Sequence, residues 1–171
     1  QEAAENFIPE IEAMGEENGW TPEETLKQLT AFYDGYHFCR KNMVDIFNPF
    51  SLINALDDRE LRNYWASSGA TSLLPKFVDD MEMKMEYFDH CFIERDTLET
   101  SDVVNGGAEL FLYQSGYLTI KGYDDGVYIL GFPNFEVRKA LYRVVVPALT
   151  MKSNSEVVSA QSFLRKMMQD G

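Results

Sequence analysis

The chain has 171 residues, of which 45% are hydrophobic and 13% aromatic, so it can bury a core in one domain or two small ones and is not expected to be disordered. Its 28 acidic and 15 basic residues give a formal net charge of -13. Because affinity for nucleic acid depends mainly on Lys and Arg that neutralise phosphates, this charge argues against tight direct binding of DNA or RNA. Two cysteines form no disulfide framework, which agrees with a reducing compartment.

The acidic character is concentrated in the first part of the chain. Residues 1–105 hold 22 acids and 8 bases, residues 106–146 hold 4 of each, and residues 147–171 hold 2 acids and 3 bases. The chain opens Gln1-Glu2-Ala3-Ala4, with no initiator Met, basic leader or long apolar run. These features predict a cytoplasmic protein without a membrane span, and they suggest a piece cut from a longer polypeptide.

The first third of the chain is predicted to be helical. Apolar residues recur at helical spacing before Gly15, at positions Phe7, Ile8, Ile11 and Met14. Thr21-Pro22-Glu23-Glu24 is a capping box, and the helix it starts has one apolar face made of Leu26, Leu29 and Phe32. This helix is expected to end near Gly35, which can adopt the positive φ of a tight turn.

Further helices are predicted in the middle of the chain. Asn48 and Pro49 have the residue types of a helix cap and first position, followed by a buried stripe of Leu52, Ile53 and Leu56. Apolar spacing predicts another helix over residues 72–85.

The second half changes character. Residues 108–115 read as a short buried helix stopped by Gly116, and two β-prone runs, 117–120 and 127–130, flank the hairpin turn at 124–126. Asn134 is expected to cap a long last helix that Pro147 bends or ends. The fold class is therefore mostly α (α+β): a helical bundle over residues 1–92, a winged-helix-like domain with a β-hairpin over 93–150, and an amphipathic linker helix over 151–171.

Seven aromatic residues crowd three short segments of the first half, and their density is more than helical filler requires. The segments are 33–38, 47–52 and 63–65. Large apolar surface beside turn-forming residues is typical of a binding surface. No reaction centre is apparent elsewhere, and we predict no catalytic residue.

Five ordered motifs resemble the C-terminal half of the bacterial AAA-ATPase-like family. They are YDGYHF (33–38), FNPFSL (47–52), NYWASSG (63–69), LFLYQSGYLTI (110–120) and GFPNFEVR (131–138). Members of that family carry an N-terminal P-loop ATPase domain and a C-terminal PD-(D/E)XK nuclease-like domain. The resemblance implies that this chain is the middle region, a helical lid followed by a winged-helix-like segment, with those two domains as its partners and with oligomerisation possible.

Neither the phosphate-binding loop nor the nuclease signature occurs in the sequence. There is no Gly-x-x-x-x-Gly-Lys-Ser/Thr, and Glu136-Val137-Arg138-Lys139 has the wrong spacing for a nuclease. The fragment alone is therefore expected to bind no cofactor and to be no enzyme, whereas the parent protein would use ATP and Mg²⁺.

The resemblance suggests a nucleotide-facing site at the first two motifs. Its residues would be Tyr33, Asp34, Gly35, Tyr36, Asn48 and Pro49, with an aromatic or proline ring against the base. The alternative is that the aromatics are core residues and Asn48-Pro49 is only a helix cap.

Two other groups have a functional and a structural interpretation. His37, Cys39, His90 and Cys91 are zinc-type ligands, but their spacing is unlike that of known zinc sites and predicts none. The helix after the hairpin carries Arg138, Lys139 and Arg143, at a place where a DNA-binding winged helix can have basic side chains. Nearby acidic residues favour a salt-bridged surface instead. Hairpin tyrosines Tyr117, Tyr123 and Tyr128 are either an exposed contact surface or a cover for the sheet.

Two hypotheses follow. The first is a noncatalytic lid and winged-helix segment of an ATPase, with the helices on either side of Gly35 as moving parts. The second is a winged-helix adaptor that binds nucleic acid or protein without nucleotide.

Overall fold

The computed structural model describes residues 6–39, 41, 43–68, 85–100 and 106–150. Three helices come first: α1 (Ile8–Asn18), α2 (Pro22–Tyr33) and α3 (Pro49–Asp58). Two 3-10 turns, Trp65–Ser68 and Met85–Asp89, precede strand β1 (Cys91–Glu94) and the single-turn helix α4 (Arg95–Leu98). Helix α5 (Gly107–Gln114), strands β2 (Thr119–Asp124) and β3 (Val127–Gly131), and helix α6 (Phe135–Thr150) follow. The mostly α class with a β-hairpin is confirmed.

The predicted helix starts are confirmed by their hydrogen bonds. Thr21 Oγ1 accepts from the backbone N–H of Glu24 at 3.2 Å, and Glu24 Oε2 accepts from that of Thr21 at 2.8 Å. The Asn48 side chain accepts from the N–H groups two and three positions later at 3.1 and 3.2 Å. Asn134 Oδ1 likewise accepts from the first turn of α6 at 3.1 Å. The side chains of Thr21, Asn48 and Asn134 each accept a hydrogen bond from a backbone N–H group in the first turn, which has no acceptor within the helix.

Helix α1 continues past Gly15 and ends at Gly19, which has φ +73°. Gly15 does not end the helix but allows α1 and the start of α2 to approach closely. A Cβ at this position would lie 2.7 Å from the carbonyl oxygen of Trp20 and 2.8 Å from Thr25 Oγ1, which is too close. The start of α2 therefore packs directly on the backbone of α1.

The small sheet has three antiparallel strands in the order β1-β3-β2. The predicted hairpin is confirmed, with its turn at Asp125 (φ 41°) and Gly126 (φ +88°). Strand β1 was not expected: it is only four residues long and pairs with β3, which is more than thirty residues away in sequence. Such a partner cannot be inferred from a local pattern.

The core falls into two clusters. The first joins α1, α2 and α3 through buried side chains that include Met14, Leu29, Tyr33 and Leu56. The second surrounds the sheet and includes Tyr36, Trp65 and Phe88. The boundary proposed at residue 92 thus falls inside β1, and the change of core lies earlier in the chain. On α3, Ile53 is exposed, contrary to the expected stripe, because Leu52, Ala55 and Leu56 form the inward face.

Of the two interpretations of Tyr117, Tyr123 and Tyr128, the exposed contact surface is wrong and the cover for the sheet agrees with the structure. Tyr117 and Tyr128 are buried, and Tyr123 is half-buried with its ring 4.9 Å from that of Tyr128. Tyr117 packs edge-on against Trp65 at 4.6 Å, and Tyr128 lies on the central strand, so these rings belong to the core.

Other expectations concern the ends of elements. Helix α5 ends before Gly116, which has the expected positive φ, whereas α6 continues through Pro147 to Thr150. The helix predicted over 72–85 falls almost wholly outside the described residues, and the linker helix predicted over 151–171 falls entirely outside them. Among the described residues, no helix has the length and apolar character needed to cross a bilayer.

Gly15→Ala should test the contact between α1 and α2. The new methyl group would collide with backbone that cannot move away cheaply, so we expect a loss of about 1–3 kcal/mol in the free energy of unfolding, measured in urea. Glu16→Ala, at the exposed neighbouring position, is the matched control and should change stability by less than about 0.5 kcal/mol. Equal stability of the two variants would contradict the close approach.

Candidate functional site

The candidate site is built around the turn that follows α2. Gly35 has φ +97°, and a Cβ there would collide with the carbonyl oxygen of Pro133, so the turn packs against the loop before α6. Lys121 Nζ donates to the carbonyl oxygens of Gly35 at 3.1 Å and Pro133 at 3.4 Å. Burial lowers the pKa of Lys121, an effect that Asp45 and Asp34 partly offset. The β2 side chain thus braces the turn from the sheet side.

The rings of Tyr33 and Tyr36 are buried, with 0% and 8% of their surface exposed. Tyr33 Oη donates to the carbonyl oxygen of Arg62 at 2.9 Å and accepts from its N–H at 3.0 Å. Tyr36 Oη donates to the carbonyl oxygen of Gly116 at 3.2 Å. Burial raises the pKa of both phenols. Both tyrosines are therefore core residues whose hydroxyl groups connect distant segments.

The remaining predicted site residues lie at the same corner. The Asn48 N–H donates to the carbonyl oxygen of Tyr33 at 2.8 Å, which brings the start of α3 against the end of α2. Asp34 is half-buried, accepts from the Gly35 N–H at 2.8 Å, and has a pKa raised chiefly by burial. Pro49 is exposed. The structure thus brings the six predicted residues together, and contact of this corner with nucleotide stays a prediction.

His37 joins the turn to β2. Its N–H donates to Thr119 Oγ1 at 2.8 Å, and that hydroxyl donates to the His37 carbonyl oxygen at 2.9 Å. Nδ1 lies 2.9 Å from the carbonyl oxygen of Ile120, and Nε2 lies 2.9 Å from Asp45 Oδ1. Both ring nitrogens are engaged within the protein, a role that the sequence pattern did not reveal.

The other zinc-type residues, Cys39, His90 and Cys91, have different environments. Cys39 is exposed, whereas burial, with a smaller effect of Glu109, raises the pKa of the Cys91 thiol to about 12. His90 contacts the Phe92 ring edge-on at 5.7 Å. Within the described residues, no three His, Cys, Asp or Glu side chains are grouped as metal ligands would be.

The sequence analysis did not predict that the carboxylate of Glu136 is buried and binds backbone N–H groups of a distant segment. Glu136 lies in the first turn of α6 with only 1% of its surface exposed. Its Oε1 accepts from the N–H groups of Tyr64 at 2.6 Å and Trp65 at 2.8 Å, and its carbonyl oxygen accepts from Asn63 Nδ2 at 2.8 Å. Burial raises the pKa of Glu136, and the hydrogen bonds from the N–H groups of Trp65 and Tyr64 oppose this shift.

The five sequence motifs thus meet in one place. The first motif contacts the fourth through Tyr36 and His37 and the second through the Tyr33 carbonyl oxygen. The third motif contacts the fifth through Glu136 and the fourth through the Trp65 ring, which packs against Tyr117. The available signal for the Glu136 contact was that this residue lies in the fifth motif and its partners Tyr64 and Trp65 lie in the third. A separation of about 70 residues conceals such a pairing in the sequence.

Two of the three basic residues of α6, Arg138 and Lys139, contact neighbouring side chains. Arg138 Nη2 lies 2.6 Å from Asp89 Oδ2, and its guanidinium is 6.0 Å from the Phe132 ring centre. Lys139 Nζ lies 5.9 Å from the ring centre of Phe135, whereas Arg143 is exposed. The salt-bridged interpretation is confirmed for Arg138.

The chain is similar to the "Uncharacterized protein in vnfD 5'region" of Azotobacter chroococcum mcd 1. The two are 25% identical over 141 residues, which cover 76% of this chain and 27% of that protein. The chain thus spans about a quarter of the length of the curated relative it matches. No protein-family profile matches the chain. No solved structure matches it.

Glu136→Ala should disrupt the junction between α6 and the Asn63–Trp65 segment. It removes the acceptor of two backbone N–H groups, so we expect a loss of about 2–4 kcal/mol in the free energy of unfolding, measured in urea. Glu99→Ala is the control, since that exposed carboxylate makes a surface ion pair with Arg95 and its loss should lower stability by less than about 0.5 kcal/mol. A similar small loss for both variants would refute the junction.

The pH dependence of stability should report the burial of Glu136. Because its folded pKa is raised above the ordinary 4.5, the folded protein holds the proton more tightly than the unfolded chain. Stability from this group therefore rises as pH falls from 7 toward 4.5, and it is lost as pH rises through the raised pKa. Glu136→Gln cannot titrate, so the wild type should gain stability relative to this variant over that range. Urea unfolding at successive pH values measures the difference, and a constant difference would contradict the prediction.

Proposed function

We propose that this chain is the noncatalytic lid and winged-helix-like segment of a P-loop ATPase of the bacterial AAA-ATPase-like family. In this role it covers nucleotide bound by the preceding ATPase domain and couples the nucleotide state to a following nuclease-like domain. The observation that supports the proposal most is the convergence of the five motifs on which the resemblance rests, since they form a single connected junction between the helices and the sheet.

The second part of the chain supports the winged-helix-like component. Strand β1, helices α4 and α5, and the hairpin β2-β3 follow one another, and β1 lies beside β3. A strand that precedes two helices and then pairs with the returning strand of a hairpin closes a small three-stranded sheet against those helices. The balance of 4 acids and 4 bases over residues 106–146 and the ion pair between Arg138 and Asp89 favour use of this segment for docking within the protein rather than for binding nucleic acid.

The corner at Gly35 would act as the nucleotide-facing part. Buried Tyr33 and Tyr36 would shape the turn, while half-exposed Asp34 and Asn48 and exposed Pro49 would face the base or ribose. ATP and Mg²⁺ would be held by the P-loop domain of the parent protein, which acts in the cytoplasm in this proposal. A displacement of the corner would reach the sheet directly, because Lys121 and His37 bind the turn to β2.

The adaptor alternative requires the same surfaces without nucleotide. A protein-binding adaptor is compatible with the acidic charge, whereas a nucleic-acid adaptor is disfavoured by it.

Hydrogen exchange in the parent polypeptide that contains this chain should test the lid. ATP binding should slow amide exchange severalfold in residues 33–52, because a closed lid buries the corner against the nucleotide. The hairpin turn at residues 124–127 is the internal control and should exchange at an unchanged rate. Equal exchange at 33–52 with and without bound ATP would exclude a lid at this corner.

A further inference from the structure

Exposed apolar side chains are concentrated in one short part of the fold. Nine large hydrophobic residues are exposed within the described part of the chain, and six of them lie between residues 38 and 53. We call them the 38–53 surface: Phe38, Met43, Val44, Ile46, Phe50 and Ile53. Phe38 is the most exposed, at 70%, and Ile53 is exposed at 55%. Single exposed apolar residues are ordinary, but a concentration of six is typical of an interaction site.

Three residues in the first half of this surface, Phe38, Val44 and Ile46, lie on two segments that pair through Tyr36 and Ile46. Tyr36 and Ile46 exchange two backbone hydrogen bonds of 3.2 and 3.1 Å, so these two segments run antiparallel. Residues two apart on such a segment, and residues opposite one another, share a face. The Phe38 ring indeed stacks on that of Tyr36, with centres 6.1 Å apart and planes 8° apart. Phe38, Val44 and Ile46 therefore share the face on which Tyr36 supports the Phe38 ring.

The second half is the outward face of α3. Phe50, Ile53 and Asp57 recur at helical spacing and are exposed, while Leu52 and Leu56 pack inward. The chain passes from Ile46 into α3 within three residues, so the two halves adjoin. An apolar stripe on a helix beside an apolar turn is suited to receive the apolar face of another helix.

Charge indicates which helix would bind. Residues 6–68 hold 11 acids and 5 bases, and exposed Asp57 lies on the same face of α3 as Phe50 and Ile53. A basic partner would be attracted to this part of the protein, whereas a second copy of the chain would bring another net charge of -13. An anionic membrane would be repelled for the same reason.

We propose that the 38–53 surface is a docking site for a basic amphipathic helix of a protein partner. Apolar residues of that helix would cover Phe38, Phe50 and Ile53, and its lysines or arginines would face the acids around them. The site goes beyond the proposed function, because it needs no nucleotide and would remain if the ATPase assignment failed.

The test uses the full 171-residue chain and a defined probe. The probe is a labelled 18-residue peptide of Leu and Lys, with Leu at positions i, i+3, i+4 and i+7 and Lys elsewhere, titrated by fluorescence anisotropy. Phe38→Ser with Ile53→Ser should weaken binding by roughly tenfold or more, because two large apolar contacts are removed. The matched control is Phe92→Ser with Ile8→Ser, which removes one exposed Phe and one exposed Ile elsewhere and should leave binding unchanged.

Two further measurements make the result decisive. Replacing Lys by Glu in the peptide should abolish binding, and thermal unfolding should be alike for both double variants, since all four substituted residues are exposed. Absence of peptide binding, equal loss in the control variant or equal binding of the Glu peptide would overturn the proposal. Self-association of the wild type that disappears in the Phe38→Ser, Ile53→Ser variant would also overturn it, because the occupant would then be a second copy.

Discussion

The arrangement of the whole described structure depends on one buried carboxylate. Glu136 Oε1 accepts from the N–H groups of Tyr64 and Trp65, which lie just before and at the start of the 3-10 turn that follows α3. Such amides need an acceptor when water is excluded, and a buried carboxylate needs donors in return. Glu136 also lies in the first turn of α6, where the helix dipole favours a negative charge. The carboxylate and the two N–H groups thus offset the cost of burying one another. These hydrogen bonds hold the start of α6 against the segment after α3.

The junction at Gly35 carries this constraint from the helices to the sheet. The turn has no room beside Pro133, and Lys121 and His37 attach it to β2. A glycine in a turn often suggests a free hinge, but here the surrounding contacts oppose independent motion of the turn. If the helices move, the hairpin must move with them or these hydrogen bonds must break. The proposed coupling between nucleotide state and the following domain requires that the helices and the hairpin move together in this way.

Features encoded within a few neighbouring residues could be predicted from the sequence, and features that depend on distant partners could not. The caps at Thr21, Asn48 and Asn134 and the turn at Gly126 follow from local chemistry. Strand β1 could not, because four residues carry little periodicity and the pairing partner is remote. Likewise, the six candidate site residues were found as a group, but the link to Glu136 needed the tertiary structure.

The aromatic density of the first half has two different origins that a sequence pattern cannot separate. Tyr33 and Tyr36 are buried and bind distant backbone, so the fold itself explains them. Phe38 and Phe50 are exposed, although Phe38 lies three residues after Gly35 of the turn and Phe50 lies two residues after the Asn48 cap. Their burial cannot be what stabilises the described fold, since it does not occur there. Water contact with such rings is unfavourable, and a binding partner is the simplest physical reason for a protein to keep them exposed.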